Sequence, residues 1–295
     1  MQPQHILAPV DFSSDAMLAA RFGLSLAERY GAALTLFYVD KLPAFSERMA
    51  ERVAADVWAK YVQDRSRVVQ QRLDEVAQEL GGGRIDTALA RDHVAVAIAG
   101  YVAEHGDDLV VMAPHGVGTS THFLLGSVTS DVAANAACPV LVTRQHQDLA
   151  LPHDGAFRRL LVAVPVGGID EEMVSWARAL AAPGAHIELF HAFESGERGL
   201  PWPDFIADAL KSTRAALRNS MDETAGRLEQ EGFEASAQLT RGDAANELLE
   251  RISGQECDAV LVGRRSPRGR AGVLGSVAQR LLRHADVPVV VTRAG

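Results

Sequence analysis

One ending is written twice in this chain. Gly126-Ser127-Val128, followed by Pro139-Val140-Leu141-Val142-Thr143-Arg144, returns as Gly275-Ser276-Val277, followed by Pro288-Val289-Val290-Val291-Thr292-Arg293. Serine and proline stand twelve residues apart in both copies. Each copy reads as a helix that opens on Gly-Ser and closes into a terminal strand. The chain is therefore a tandem repeat, and its 295 residues suit two domains. The spacing predicts copies over 1–146 and 157–295.

Within the first copy, short apolar runs alternate with helical patterns. Residues 5–10 read as a buried strand, and Ser13-Ser14-Asp15 offers caps for a helix through Ala19, Phe22, Leu26 and Ala27. A second strand follows at 34–39. Met49, Val53, Val57, Tyr61, Val69, Leu73, Val76 and Leu80 then form a helical stripe stopped by Gly81-Gly82-Gly83. Strand 85–90, helix 93–105, strand 109–113, helix 127–137 and strand 140–143 complete the order βαβαβαβαβ.

The second copy repeats that order, with strands expected at 160–166, 187–193, 235–239, 259–263 and 289–292. Its helices are expected at 171–182, within 203–231, at 244–255 and at 276–285. Strands this short and continuously apolar suit a parallel sheet covered on both faces. The fold class expected is α/β: two doubly wound, Rossmann-like domains with five parallel strands each.

Composition narrows the function. A net charge of −9 argues against a general nucleic-acid binder, which needs clustered Lys and Arg to displace counterions. No apolar run approaches a membrane span. Residues 1–5 lead straight into the first strand, so no signal peptide is expected. Cys138 and Cys257 make neither a disulfide framework nor a metal quartet, and buried free thiols fit a cytoplasmic location.

In doubly wound sheets, ligands lie beyond the carboxyl ends of the strands, where neighbouring crossovers diverge. After strand 4 the first copy reads Met112-Ala113-Pro114-His115-Gly116, nine residues, then Gly126-Ser127-Val128-Thr129. A loop returning through glycine to a helix N-terminus can present free N–H groups to an anion, with the Ser127 and Thr129 hydroxyls as added donors. Gly-Ser is equally an ordinary cap. Asp11, at the end of strand 1, can cap the first helix or accept from a ribose hydroxyl across the crevice. Together these residues outline a nucleotide site without a Walker lysine.

The set Ile6-Leu7-Ala8-Pro9-Val10-Asp11-Phe12-Ser13, the His115-Gly116 turn, the nine-residue spacing to Gly126-Ser127 and the closing Cys138-Pro139-Val140-Leu141-Val142 resembles the universal stress protein family, in two copies across nearly the whole chain. Members that bind ATP carry Gly-x-x-Gly, nine residues, then Gly-Ser or Gly-Thr. By that resemblance Pro9, Asp11, Val39, Met112 and Ala113 surround adenosine, and Gly116, Gly126, Ser127, Val128 and Thr129 hold phosphates. ATP or another adenine nucleotide is the implied ligand, and Mg2+ could accompany it. The implied role is a cytoplasmic stress-response regulator with an unknown protein partner. The family's last strand commonly pairs two domains, so strands 140–143 and 289–292 would pair the halves internally, and two chains could form a homodimer.

The copies are unequal at this site. In the first, Ala113 stands where the motif has glycine, which matters only if the local φ is positive. In the second, Ser266 replaces the second glycine, eight residues precede Gly275-Ser276, and Pro165 aligns with Asp11. Arg264, Arg265, Arg268 and Arg270 crowd that loop as either an anion site or a solvated surface. The second copy is expected to be degenerate.

Other residues carry less. His115 and His122 lack a third ligand at metal spacing, so no metal site is expected and His115 is expected to shape its turn. His191 falls opposite Tyr38 and reads as packing. No activated nucleophile stands out. A slow ATP hydrolase is one alternative, although no carboxylate lies between Ala113 and Thr129. The other is a nucleotide-free module that binds a protein or apolar ligand through segments 42–80 and 201–231, where Trp58, Tyr61, Trp202 and Phe205 are otherwise expected to pack in the core.

Overall fold

The computed structural model describes residues 2–41, 54–116, 125–144, 152, 154–193, 204–254, 256–264 and 272–293. Its two compact units are built on Gln2–Val140 and Ala156–Gly295.

The first copy of the repeat contains β1 (His5–Pro9), α1 (Ser14–Tyr30), β2 (Ala33–Val39), α2 (Ala55–Leu80), β3 (Arg84–Ala90), α3 (Val94–His105), β4 (Leu109–Met112), α4 (Ser127–Asn135) and β5 (Val140–Val142). Its strands lie in the order β3-β2-β1-β4-β5, and β1 runs parallel to both β2 and β4. Ile6, Leu7, Leu34, Leu36, Val110 and Val111 are fully buried, so the expected parallel core is present.

Local chemistry sets the element ends. Ser13 caps α1, its Oγ accepting from the Ala16 N–H at 3.2 Å. Gly31 ends the helix at φ 64°, the left-handed conformation that glycine adopts without penalty. The helix buries Ala19, Phe22 and Leu26 against the sheet.

The second unit contains β6 (Phe157–Ala163), α5 (Glu171–Leu180), β7 (Ala181–Phe193), α6 (Asp204–Gln230), β8 (Glu234–Arg241), α7 (Ala244–Ser253), β9 (Ala259–Gly263), α8 (Ser276–His284) and β10 (Val289–Thr292). The order β8-β7-β6-β9-β10 matches the first unit, again with parallel pairings. Strand β7 begins at Ala181 rather than 187. Phe157 pairs with Ala181 while Arg159 pairs with His186, so Ala182, Pro183 and Gly184 are absorbed as an irregularity in a continuous strand.

The long helices depart from the expected packing. Of α2 only Leu73 and Val76 are buried, while Val57, Tyr61 and Val68 are exposed. Trp58 and Tyr61 stack on each other with centroids 5.4 Å apart, and Phe205 of α6 is 74% exposed. The 3–4 spacing correctly located a helix, but it did not bring this aromatic end into the core. Met49, Val53 and Trp202 lie outside the described residues.

Candidate functional site

The carboxyl ends of β1, β2 and β4 meet where the chain reverses its direction of winding, the position at which such sheets bind ligands. The floor there is apolar: Val39 closes β2, and Met112 and Ala113 end β4, all three buried. The Val10 N–H donates to the Phe37 carbonyl at 2.9 Å, continuing the ladder one step beyond β1. Asp11 is therefore the first residue released from the sheet.

Its carboxylate is held in place. Oδ1 accepts from the Ser13 N–H at 3.0 Å and from Ser13 Oγ at 2.6 Å. The sequence left open whether Asp11 or a serine caps α1; Ser13 does so, and Asp11 fixes the capping serine. Between them Phe12 takes φ 64°, the one non-glycine residue with positive φ among those described. Such a conformation costs an aromatic residue of order 1–3 kcal/mol and marks a constrained site. The Phe12 ring stacks on Tyr38 with centroids 5.0 Å apart, and burial, then Asp40, push the Tyr38 hydroxyl above its ordinary pKa.

On the far side, the loop after β4 returns to α4 at Gly126, whose N–H donates to the Pro114 carbonyl at 2.9 Å. A β-carbon at 126 would lie 3.2 Å from that oxygen, so this crossing is tight. No side chain caps the start of α4. Ser127, Val128 and Thr129 thus supply the first helical N–H groups at the positive end of the dipole. The Thr129 hydroxyl is committed elsewhere: it is buried and donates to the Ala113 carbonyl at 2.9 Å. His115 turns toward α1, with Nδ1 3.3 Å from Asp15 Oδ2.

Gly116 joins the two sides. A β-carbon there would be driven into Asp11 Oδ2, with Asp11 Cγ at 3.4 Å. Asp11, the Gly116 backbone and the start of α4 are thereby drawn toward one crevice, with Pro9, Val39, Met112 and Ala113 at the strand ends beneath. Residues 117–124, including His122, lie outside the described residues. Ala113 has no positive φ, so its methyl group brings no backbone strain to the motif.

The second unit keeps the framework and lacks the acidic side chain. The Val164 N–H donates to the Phe190 carbonyl and the Gly275 N–H to the Arg264 carbonyl, both at 2.8 Å, reproducing the bonds of Val10 and Gly126. These bonds place Pro165 where Asp11 stands. Arg264 is buried and does not belong to a solvated cationic loop; Arg265, Arg268 and Arg270 lie outside the described residues.

Two copies of one architecture match one family profile twice. The profile of the Universal stress protein family covers residues 3–144 and 156–293. The chain belongs to the universal stress protein family. It is similar to a universal stress protein of Mycolicibacterium smegmatis, 26% identical over 306 residues that cover 98% of this chain and 96% of that one. A universal stress protein of Mycobacterium bovis is 26% identical over 297 residues, covering 98% and 97%. The crystal structure of a universal stress protein from Archaeoglobus fulgidus superposes with a TM-score of 0.68 at 19% identity, covering 99% of this chain and 96% of that one.

In this universal stress protein the sequence reading missed a buried ion pair beside the crevice. Asp40, one residue past β2, is fully buried and accepts from Arg65 Nε of α2 at 2.8 and 3.0 Å. Arg91, just past β3, lies 3.9 Å away. The second unit solves the same problem with a ring: the Arg214 guanidinium of α6 stacks 4.0 Å above the centroid of Phe193. The available signal was a charged residue directly after an apolar strand, but its arginine partner is 25 residues away.

Proposed function

We propose that the first unit binds an adenine nucleotide, ATP with Mg2+ as its counter-ion, and that the chain is a cytoplasmic stress-response regulator. Pro9, Val39, Met112 and Ala113 bed the adenosine, and Asp11 accepts from a ribose hydroxyl. Gly116, Ser127, Val128 and Thr129 receive the phosphates through backbone N–H groups and the Ser127 hydroxyl, and Gly126, whose own N–H is engaged by Pro114, lets the backbone approach them closely. Binding alters the surface offered to a protein partner.

The observation that supports this reading most is the contact between Gly116 and Asp11, which leaves no room for a side chain between a fixed carboxylate and a helix start without a side-chain cap. The two buried thiols fit a reducing compartment. Isothermal titration with ATP tests the proposal, comparing the native chain with Gly116→Asp plus Ser127→Glu. Unchanged affinity in the double variant would remove this site. The stacked pair of half-buried Trp58 and exposed Tyr61 favours a second reading, a partner-binding surface on α2, which retains partner capture when nucleotide binding is abolished.

A further inference from the structure

Where the second unit lacks Asp11, it has a cavity. Its volume is about 150 Å³, and it lies at the ends of β6, β7 and β9 beside the start of α8. The wall is mostly apolar: Val164, Pro165, Ala192, Leu248 and Val262 contribute to it. Its size decides what can enter. An apolar cavity of roughly 150 Å³ holds one benzene-sized ring, whereas sites for drug-sized ligands run to roughly 300–1,000 Å³. A nucleotide does not fit, and proline supplies no acceptor for a ribose.

Two polar side chains, His191 and Ser276, interrupt this wall. His191 is 7% exposed, and its Nδ1 lies 2.8 Å from the Val164 carbonyl oxygen. A carbonyl can only accept, so Nδ1 carries the proton and donates. In the neutral ring Nε2 is then left as an acceptor. The equivalent position in the first unit holds Tyr38, whose hydroxyl can also donate. Smaller residues also replace larger ones around the second cavity: Ala192 stands for Val39, Val166 for Phe12 and Val262 for Met112.

We propose that this cavity is a second ligand site, distinct in chemistry from the first. It takes a small, uncharged, single-ring aromatic bearing one hydrogen-bond donor, which meets His191 Nε2, and its volume is too small for a nucleotide. The chain would thus read two unrelated small molecules through two copies of one fold. The second site does not depend on the nucleotide assignment of the first.

Phenol and toluene, nearly equal in shape and differing in one hydroxyl donor, are the probes. With the full-length chain, ligand-observed NMR titration is expected to show saturable phenol binding, with toluene weaker by about fivefold, the value of roughly one hydrogen bond. Ala192→Leu should fill the cavity and weaken both probes by at least about tenfold while leaving the circular dichroism spectrum and ATP affinity unchanged. His191→Phe should bring the two probes to within about twofold of each other. Should His191→Phe fail to fold, His191→Gln, which keeps a polar group, provides the comparison and should retain part of the phenol preference. The proposal is overturned if phenol does not saturate up to its solubility limit, if Ala192→Leu leaves phenol binding intact, or if ATP competes with phenol for this site.

Discussion

The Gly116 backbone lies against the Asp11 carboxylate so closely that a β-carbon would be driven into Oδ2. Asp11 cannot simply swing aside, because Ser13 holds Oδ1 through both its N–H and its hydroxyl. Gly116→Ala should therefore displace the carboxylate that the proposed ribose contact requires. ATP affinity is expected to fall at least about tenfold, a loss of roughly 1.4 kcal/mol, while the melting temperature moves by only a few degrees. A large loss of stability with unchanged affinity would show that the contact is structural alone.

Asp40 and Arg65 tie α2 to the end of β2, and the pair is asymmetric. Asp40 is fully buried, whereas the Arg65 side chain is one-third exposed. Removing the arginine leaves a buried carboxylate with Arg91, 3.9 Å away, as its one remaining ion-pair partner among the described residues, which costs more than the pair contributes when intact. After allowing for the solvent around Arg65, Arg65→Ala should cost about 1–3 kcal/mol, read as a lower urea midpoint. Arg214→Ala, which removes a cation–π contact in the second unit, should cost only about 0.5–1 kcal/mol.

Asp107, after α3, has its Oδ2 buried without a hydrogen-bond partner among the described residues. Burial pushes its carboxyl from the ordinary 3.8 up to about 6, against the lowering effect of His105 and His5. A raised folded-state pKa means that the native protein holds a proton the unfolded chain has released. This group's contribution to stability is present below about pH 4 and is lost as pH rises to about 6. Asp107→Asn should match the native protein near pH 4 and melt at a higher temperature at pH 7. A melting-temperature gap that does not widen with pH would contradict this assignment.

The Cys257 thiol is pushed up to about 12, chiefly by burial and secondarily by Asp258. Thiolate is the reacting form, so Cys257 should resist an aromatic disulfide reagent at pH 8 in the native protein and react once the chain is denatured. Rapid native labelling, located by mass spectrometry, would count against a buried thiol.

The fold was legible because its signals are local. Apolar strands, Ser13 as a cap and the Gly81 stop lie within a few residues of what they determine, and the doubled Gly-Ser ending specified two copies. The candidate crevice was legible as a motif, Asp11 with Gly116 and Gly126, although the sequence could not choose between a ligand contact and a cap. Two features were hidden because their partners are distant in the chain. Asp40 finds Arg65 25 residues away, and His191 finds Val164 27 residues away. The aromatic end of α2 follows helical spacing, yet periodicity does not say how far the sheet extends beneath a helix.

Ala113 separates motif from mechanism. It occupies the first glycine position of the nucleotide motif, and a positive φ there would make its methyl group a strained intrusion. Its φ is not positive, and its carbonyl is engaged by the Thr129 hydroxyl, so an L-residue fits this backbone. Restoring the motif by Ala113→Gly should then relieve nothing. It should lower stability by about 0.4–1 kcal/mol through the added freedom of the unfolded chain, and ATP affinity should change by less than about threefold. A tenfold gain in affinity on Ala113→Gly would mean instead that the methyl group itself obstructs the nucleotide.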